Sequence, residues 1–221
     1  MTEEPGTGVW SVVVPLKPLR LAKSRLERAA GPADRPRLAL AFALDTVAAV
    51  LACPSVRDVT VVTDDPAARA ELSALGALVT ADTPQGGLNA ALAHGARVVR
   101  SRLPHAFVAA LNADLPALRP VELALVLDAA RRHGGRTFLA DADGVGTTLL
   151  TAAPATDLAP SFGGASRARH LASGATELCL WDVETVRRDV DTPENLEEAL
   201  RLGVGRHTAL AALRRSEGSP A

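Results

Sequence analysis

Short apolar runs rich in β-branched residues alternate with longer apolar segments of helical periodicity along most of this chain. The run "WSVVVPL" at 10–16 and the run "VRDVTVVTDD" at 56–65 are typical of buried strands, and each precedes a helical pattern. A helix that connects two consecutive strands allows them to pair in parallel. The sequence therefore predicts a three-layer α/β/α fold, in which helices cover both faces of a mostly parallel mixed sheet.

The same alternation predicts where the remaining elements lie. Strands are expected in "LVTAD", "HAFVAALNADLPAL" and "TELCLW", and two strand pieces are expected around a glycine turn in "RTFLADADGVGTTLLTA". Helices are expected in "PAARAELSALGA", "LNAALAHGARVVRSR" and "RPVELALVLDAARRHGG", after "FGGAS", and finally after "DVDTP". We expect one domain over residues 1–209 and a flexible tail over 210–221.

Composition narrows the kinds of partner that the chain can have. A hydrophobic fraction of 48% and a charged fraction of 22% predict a folded protein with a real core. The net charge of -1 gives no overall field for nucleic acid or an anionic membrane, and no apolar run approaches the ~18 to 20 residues of a membrane span. We expect neither partner, so any anion binding has to be local.

Cysteine usage and the first residues point to a compartment. Cys53 and Cys179 are too few for a disulfide framework and lack metal-ligand spacing, so both are expected to be small buried thiols. The acidic start "MTEEPGTG" has no charged-then-apolar leader. Together these features predict a cytoplasmic protein.

A basic segment follows the first predicted strand. "PLKPLRLAKSRL" carries Lys17, Arg20, Lys23 and Arg25, and the two lysines are the only ones in a chain with 24 Lys plus Arg. A compact ammonium is a good partner for a phosphate chain. Neither G-x-G-x-x-G nor G-x-x-x-x-G-K-[ST] occurs, which disfavours dehydrogenases and P-loop enzymes. The alternative is a solvated basic loop.

Carboxylates lie near other predicted strand ends. Asp114 is at the tip of the apolar strand in "LNADLP", and Asp191 lies in "DVDTPENL" before the last helix. Ligands of such sheets bind beyond the carboxyl ends of the strands, and Mg²⁺ typically takes one or two carboxylates plus substrate phosphates. The alternatives are a turn aspartate at 114 and a helix cap at Asp191 or Thr192 with Glu194 as the capping-box acid. Asp64 and Thr148 are also placed at strand ends.

A glycine-serine loop offers a second place for an anion. "FGGAS" precedes a helix that begins with "RARH", so backbone N–H groups, Arg167 and Arg169 are expected near a bound anion, although an ordinary loop is the alternative. "DADGVG" resembles a calcium loop, but the twelfth position from Asp141 is Ala152 rather than glutamate, so calcium is rejected. The 5 histidines share no ligand spacing and are treated as surface or packing residues.

Two anion-binding loops and two carboxylates suit a metal-dependent nucleotidyl transfer. One loop would hold a triphosphate, the other a phosphorylated acceptor, and the carboxylates would hold Mg²⁺ between them. A phosphate acceptor with a second pKa near ~6 is mostly dianionic at neutral pH. Such an acceptor needs no base from the protein, which agrees with the lack of an evident Ser-His-Asp or Cys-His arrangement.

At these residues the sequence resembles the guanylyltransferases of deazaflavin coenzyme F-420 biosynthesis, from about Trp10 to about Val204. The resemblance is carried by "VVVPLKPLRLAKSRL", "TPQGGLNAAL", "LNADLPAL", "DGVGTTLL", "FGGASRARH" and "DVDTPENL". It implies a single-domain, Rossmann-like fold of the nucleotide-diphospho-sugar transferase type, and a requirement for GTP and Mg²⁺. Asn112 departs from the pattern, because an aspartate there would make a two-carboxylate D-x-D.

The resemblance also implies roles for residues at matching positions. Thr148, Gly163 and Ser166 match contacts to the phosphorylated three-carbon acid, and Asp114 and Asp191 match the metal carboxylates. The residues expected near the nucleotide are Lys17, Lys23 and Arg25 at the triphosphate, and Gly87 and Asn89 at the nucleoside. Catalysis is expected to use no group beyond the metal ligands and Lys17.

The reaction that this resemblance implies is transfer of GMP from GTP to phosphoenolpyruvate. The Arg- and Ala-rich composition resembles the members that the family associates with that acceptor. Transfer to 2-phospho-L-lactate, to another phosphoacid or to a sugar phosphate stays open, as does a non-catalytic GTP-binding regulatory module. A homodimer is one alternative for the oligomeric state.

Overall fold

The computed structural model describes residues 9–21, 34–83 and 85–217. Seven strands form one mixed sheet in the order β3-β2-β1-β4-β6-β5-β7. Their bounds are β1 Trp10–Pro15, β2 Val56–Val62, β3 Leu78–Thr80, β4 Phe107–Leu111, β5 Arg136–Ala140, β6 Thr147–Ala152 and β7 Thr176–Glu177. The helices are α1 Asp34–Leu51, α2 Pro66–Ala74, α3 Leu88–Arg102, α4 Pro120–His133, α5 Ser166–Ala172, α6 Glu184–Arg187, α7 Pro193–Leu202 and α8 Arg206–Glu217.

The first half of the chain builds the parallel part of the sheet. β1 pairs in parallel with β2 on one side and with β4 on the other, and β2 pairs in parallel with β3. All six residues of β1 are buried, which explains its uninterrupted apolar run. α3 packs so closely on this part of the sheet that a Cβ at Gly95 would collide with Val13 and Val62.

The second half contains the antiparallel part. β6 lies between β4 and β5 and is antiparallel to both, while β7 pairs in parallel with β5. The β5–β6 register is irregular, since Leu139 pairs with Leu149 but Ala140 pairs with Thr147, which leaves Thr148 as an extra residue. Because β6 runs backwards, it begins at the edge where β1 and β4 end.

Buried apolar residues on both faces of the sheet confirm the predicted three layers. One cluster joins β1 to α1 and α4 through residues such as Val12, Val47 and Leu127. A second cluster joins the other face to α3 and the loop before α5, through residues such as Val13 and Phe162. Cys53 is buried, but Cys179 is exposed, so the prediction of two buried thiols is wrong for Cys179.

The end of the chain differs from the prediction in two ways. Thr192 caps α7, and its capping-box partner is the Asn195 side chain rather than Glu194, because Asn195 occupies the third helical position. The chain then continues into α8, which packs on α1 and makes residues 210–217 helical. The N–H groups of His207 and Thr208 donate to the buried Asp45 carboxylate at 3.1 and 2.7 Å.

No helix within the described residues has the length and apolar character of a membrane span.

Candidate active site

A cavity of about 660 Å³ opens at the carboxyl edge of β1 and β4. Its lining includes the end of β1, the tip of β4, the turn between β5 and β6, the glycine-serine loop and the segment before α7. Many of the lining residues are polar or charged, namely Lys17, Asn112, Asp114, Asp141, Asp143, Thr147, Ser166, Arg188, Asp189, Asp191, Thr192 and Asn195. The cavity therefore brings together several segments that lie far apart in the sequence.

Lys17 lies at this cavity because the chain on both sides of it is fixed. Before it, the Leu16 N–H donates to the Val62 carbonyl at 2.9 Å. After it, the Leu19 N–H donates to Oδ2 of Asp65 at 2.9 Å, and the other oxygen of Asp65 caps α2. Lys17 itself is exposed and lines the cavity. Lys23 and Arg25 lie outside the described residues.

Asp114 and Asp191 line the same cavity as Lys17. The Asp114 carbonyl accepts a hydrogen bond of 3.0 Å from the N–H of Val190, the residue before Asp191. The buried Thr46 hydroxyl accepts from the Leu115 N–H at 3.0 Å, which fixes the chain just after Asp114. The hydrogen bond between Val190 and Asp114 thus brings the backbone of Asp114 and the backbone beside Asp191 to the same place.

The hydrogen bonds of Asn112 explain why this position at the tip of β4 carries an amide and not the carboxylate of a D-x-D pattern. Its N–H donates to the Thr148 carbonyl at 3.0 Å, and its Nδ2 donates to the Thr147 carbonyl at 3.4 Å. An aspartate has no hydrogen to donate to that carbonyl. Asn112 therefore links β4 to β6 in addition to lining the cavity.

Gly163 and Ser166 also line the cavity, and side chains hold their loop in place. The Phe162 N–H donates to Oδ1 of Asn89 at 2.7 Å, and Nδ2 of Asn89 donates back to the Phe162 carbonyl at 3.2 Å. Gly163 has a φ of 95°, which an L side chain rarely adopts. Asn89 is thus a clamp for the loop.

The expectation that Arg167 and Arg169 face a bound anion is not what the structure shows. Arg167 is paired with Glu177 at 2.9 Å. Arg169 donates to the carbonyls of Ser161, Phe162 and Gly163. Neither arginine lines the cavity, because both guanidinium groups are used to brace the loop and α5.

Two predicted nucleotide residues lie outside the cavity lining. Gly87 precedes α3 with a φ of 86°, and the Asn89 amide is engaged with Phe162. Asp64, another residue placed at a strand end, accepts from the Asp82 N–H at 3.0 Å and from Nε2 of Gln85 at 3.1 Å. A role of Gly87 and Asn89 near the nucleoside stays a prediction.

Thr147 and Thr148 occupy different environments. Thr147 lines the cavity, whereas Thr148 is fully buried, and its hydroxyl has no hydrogen-bond partner among the residues that the structure describes. The sequence predicts that Thr148 lies at or just past the end of a strand, and in the structure it is the second residue of β6. It lies at the same sheet edge only because β6 is antiparallel.

His170, which the sequence predicts to be a surface or packing residue, lies beside Thr147. It is fully buried, its Nδ1 lies 3.0 Å from the Thr147 hydroxyl, and its Nε2 accepts from the Ser161 N–H at 3.0 Å. Burial, followed by the charges of Arg136 and Arg169, lowers the pKa of His170 to about 4. No spacing in the sequence signals this pair, since 23 positions separate Thr147 from His170.

The Asp141 carboxylate is part of the cavity wall, and both of its oxygens already accept backbone hydrogen bonds. Its two oxygens accept from the Val145 and Gly146 N–H groups at 2.9 and 2.7 Å, which closes the turn between β5 and β6. Across residues 9–21, 34–83 and 85–217, no group of three or more His, Cys, Asp or Glu side chains forms a metal cluster. A metal in this cavity would therefore have few protein ligands.

Solved structures of other proteins share this fold. A candidate nucleotide-diphospho-sugar transferase from Desulfovibrio desulfuricans G20 matches with a TM-score of 0.64 at 15% identity, covering 96% of each chain. A CMP:2-keto-3-deoxy-manno-octonic acid synthetase in complex with CTP matches with a TM-score of 0.51 at 15% identity, covering 94% of this chain and 99% of the other. The fold is the Rossmann-like α/β fold of nucleotide-diphospho-sugar transferases, as the sequence predicted.

Sequence relatives narrow the class to a family. The family model described as "Guanylyl transferase CofC like" matches residues 10–215. The phosphoenolpyruvate guanylyltransferase of Streptomyces coelicolor is 64% identical over 205 residues, which cover 93% of this chain and 96% of the relative. The enzyme of the same name from Thermomonospora curvata is 56% identical over 96% of this chain and 92% of the relative. The chain belongs to the CofC-like guanylyl transferase family, and it is a nucleotidyltransferase.

Proposed function

We propose that this enzyme transfers GMP from GTP to phosphoenolpyruvate, which yields enolpyruvyl-diphospho-5'-guanosine and pyrophosphate. One observation carries the proposal: Lys17, Asp114, Asp191, Gly163 and Ser166 line a single cavity. The names of the relatives at 64% and 56% identity support phosphoenolpyruvate as the acceptor. The volume of about 660 Å³ is within the usual range for small-molecule sites.

The residues of the cavity suit the charge that this reaction handles. The acceptor phosphate attacks the α-phosphorus of GTP in line, and Lys17 offsets the negative charge that builds up on the leaving pyrophosphate. Lys23 and Arg25 are proposed to extend this cationic segment along the triphosphate. Because the acceptor phosphate is mostly a dianion at neutral pH, no side chain has to remove a proton from it.

Asp114 and Asp191 are the proposed ligands of Mg²⁺. Their oxygens are the donor type that Mg²⁺ prefers, and a site with two carboxylates leaves further positions for substrate phosphates and water. The hydrogen bond from Val190 to the Asp114 carbonyl fixes the two carboxylate positions relative to each other. When bound there, Mg²⁺ would supply charge neutralisation on the phosphates.

The acceptor is proposed to bind on the β6 side of the cavity, against Thr148, Gly163 and Ser166. The Thr148 hydroxyl is buried without a partner among the described residues, and a buried hydroxyl gains stability when a ligand supplies one. Gly163 and Ser166 line the cavity. GTP would then occupy the β1 side, with Gly87 and Asn89 nearest the nucleoside.

The proposed pathway is coenzyme F-420 biosynthesis, in the cytoplasm.

A single assay tests this proposal. Purified protein is incubated with GTP and Mg²⁺, and with phosphoenolpyruvate, 2-phospho-L-lactate or a sugar phosphate in separate reactions, while pyrophosphate release is followed. We expect rapid release with phosphoenolpyruvate and a product in which GMP is joined to the acceptor. Faster turnover of 2-phospho-L-lactate would reassign the acceptor. Release without any acceptor would indicate a hydrolase, and no release at all would indicate a binding module.

A parallel reaction in EDTA tests the metal. We expect turnover to stop and to return when Mg²⁺ is added in excess. Full activity in EDTA would refute the proposed roles of Asp114 and Asp191 while leaving the acceptor assignment intact.

A further inference from the structure

The hydrogen bonds around His170 fix which ring nitrogen carries the proton. The Ser161 N–H can only donate, so the Nε2 atom that it contacts at 3.0 Å has to be the unprotonated acceptor. The proton of a neutral ring is then on Nδ1. Nδ1 lies 3.0 Å from the Thr147 hydroxyl oxygen, so His170 donates and Thr147 accepts.

This direction leaves the Thr147 hydroxyl hydrogen available for another acceptor. Thr147 lines the cavity on the side of the glycine-serine loop. Its carbonyl accepts from Nδ2 of Asn112 at 3.4 Å, so both its backbone and its hydroxyl oxygen are held in place. A hydroxyl whose oxygen accepts a hydrogen bond is a better donor, because linked hydrogen bonds polarise one another.

We infer that Thr147 donates its hydroxyl hydrogen to an anionic oxygen of the phosphorylated acid and that His170 is the positioning residue that fixes this direction. The inference rests on the proposed function, since it assigns a further contact to the same acceptor. Thr147 lines the cavity, whereas the neighbouring Thr148 is fully buried, so Thr147 offers the acceptor a hydroxyl in addition to the contacts proposed above.

The surroundings of His170 keep its ring neutral and therefore preserve the donor direction. The rings of Phe138 and Phe162 lie 5.6 and 5.3 Å from the imidazole ring. The nearby charges are those of Arg136 on β5 and Arg169 on α5, and both oppose an added proton. If Nε2 were protonated, its N–H would face the Ser161 N–H, and the hydrogen bond between them would be lost.

Substitutions at position 170 separate this role from simple bracing of the loop. In His170→Asn, the side-chain amide nitrogen takes the place of Nδ1 and can donate to Thr147. In His170→Gln, the amide reaches the place of Nε2 and can accept from Ser161, but it offers Thr147 no donor at the Nδ1 position. If His170 only braces Ser161, glutamine substitutes for it better than asparagine.

The kinetic test compares these variants with Thr147→Val and Thr147→Ser. Loss of one hydrogen bond to a charged group predicts that Thr147→Val raises the acceptor KM about 10- to 100-fold, while the KM for GTP stays near the wild-type value. His170→Gln is expected to raise the acceptor KM less, because Thr147 keeps its hydroxyl and loses only the donor that orients it. Thr147→Ser and His170→Asn are expected to keep most of the acceptor affinity. His105→Asn, at the exposed loop before the amino end of β4, is the matched control.

Two outcomes would overturn the inference. One is an unchanged acceptor KM in Thr147→Val, and the other is recovery by His170→Gln but not by His170→Asn. Thermal unfolding of every variant checks that each is folded, and the Thr147→Val and Thr147→Ser pair decides the question alone if the His170 variants do not fold.

A spectroscopic readout is independent of turnover. Long-range ¹H–¹⁵N NMR of the wild-type protein reports the imidazole tautomer, and we expect Nδ1–H for His170. An Nε2–H tautomer would overturn the inference even if the enzyme is fully active. By contrast, absence of pyrophosphate release with every acceptor would refute the proposed function, whatever the tautomer.

Discussion

The two sides of the cavity are held together in different ways. On the β1–β4 side, Lys17 and Asp114 follow the ends of strands, and backbone hydrogen bonds to Val62 and Val190 hold the chain there, together with the Asp65 and Thr46 side chains. On the β6–α5 side, the loop around Gly163 is fixed by the side chains of Asn89, His170 and Arg169. The charges proposed for phosphate and metal thus lie on rigid backbone, and the groups proposed for the acceptor lie on a loop braced by side chains.

This difference teaches that substitutions on the two sides should have different consequences. A change at the β1–β4 side removes a charge without disturbing the structure that holds it. A change at the β6–α5 side removes a support and shifts the groups that contact the acceptor. Four predictions test this contrast.

The largest effect is expected from Asp114→Asn. Loss of a proposed metal carboxylate should lower kcat/KM by about 10³-fold, because it weakens charge neutralisation at the transferred phosphate. The melting temperature should change little. Asp157→Asn, at an exposed aspartate outside the cavity lining, is the matched control. Normal turnover of Asp114→Asn would show that Asp114 is not a ligand of the metal.

The next effect concerns pH and lies on the β6–α5 side. The pKa of His170 is about 4 in the folded protein and near its usual 6.5 when unfolded, so the unfolded chain binds more protons between these values. Stability should therefore rise as pH increases from 4 to 6.5 and be lost as pH falls through the same window. Titration of His170 should change the free energy of unfolding by roughly 3 kcal/mol across this window. Urea unfolding of the wild type and His170→Gln across this range measures it, and an equal pH slope in both would contradict it.

A smaller effect is expected from Asn89→Ala. This variant leaves the Phe162 N–H without its side-chain partner and the Phe162 carbonyl with only the hydrogen bond from Arg169, which should lower the free energy of unfolding by about 2 kcal/mol. The KM for the acceptor should rise as the loop loosens. Asn89→Asp keeps the acceptor for the Phe162 N–H and is expected to lose less. An unchanged acceptor KM would contradict the role of Asn89 as a clamp for the loop, whereas an added rise in the KM for GTP would agree with its proposed place near the nucleoside.

The smallest effect is expected from Asn112→Asp. It creates a two-carboxylate D-x-D tip but replaces a donor to the Thr147 carbonyl with an acceptor, so about 1 kcal/mol of stability should be lost. Chemical denaturation measures this loss. Turnover should not increase, since the site is proposed to need only Asp114 from this strand. A gain in activity would show that the tip can use a second carboxylate.

The sequence by itself determined the alternation of strands and helices and the placement of Lys17 and Asp114. Both residues lie just past the ends of buried apolar strands, and the carboxyl ends of parallel strands meet at one edge. Local periodicity was therefore enough to predict the three layers and half of the cavity.

Only the tertiary structure decided the other half. The pairing of β6 between β4 and β5, the extra residue at Thr148 and the contact between Thr147 and His170 depend on groups that are distant in sequence. Arg167 and Arg169 have an anion-binding pattern, yet the fold uses them to brace a loop. A hydrogen bond between remote residues leaves no periodic trace in the chain, which is why the contacts that support this side could not be predicted from the sequence, although Gly163 and Ser166 were correctly placed beside the cavity.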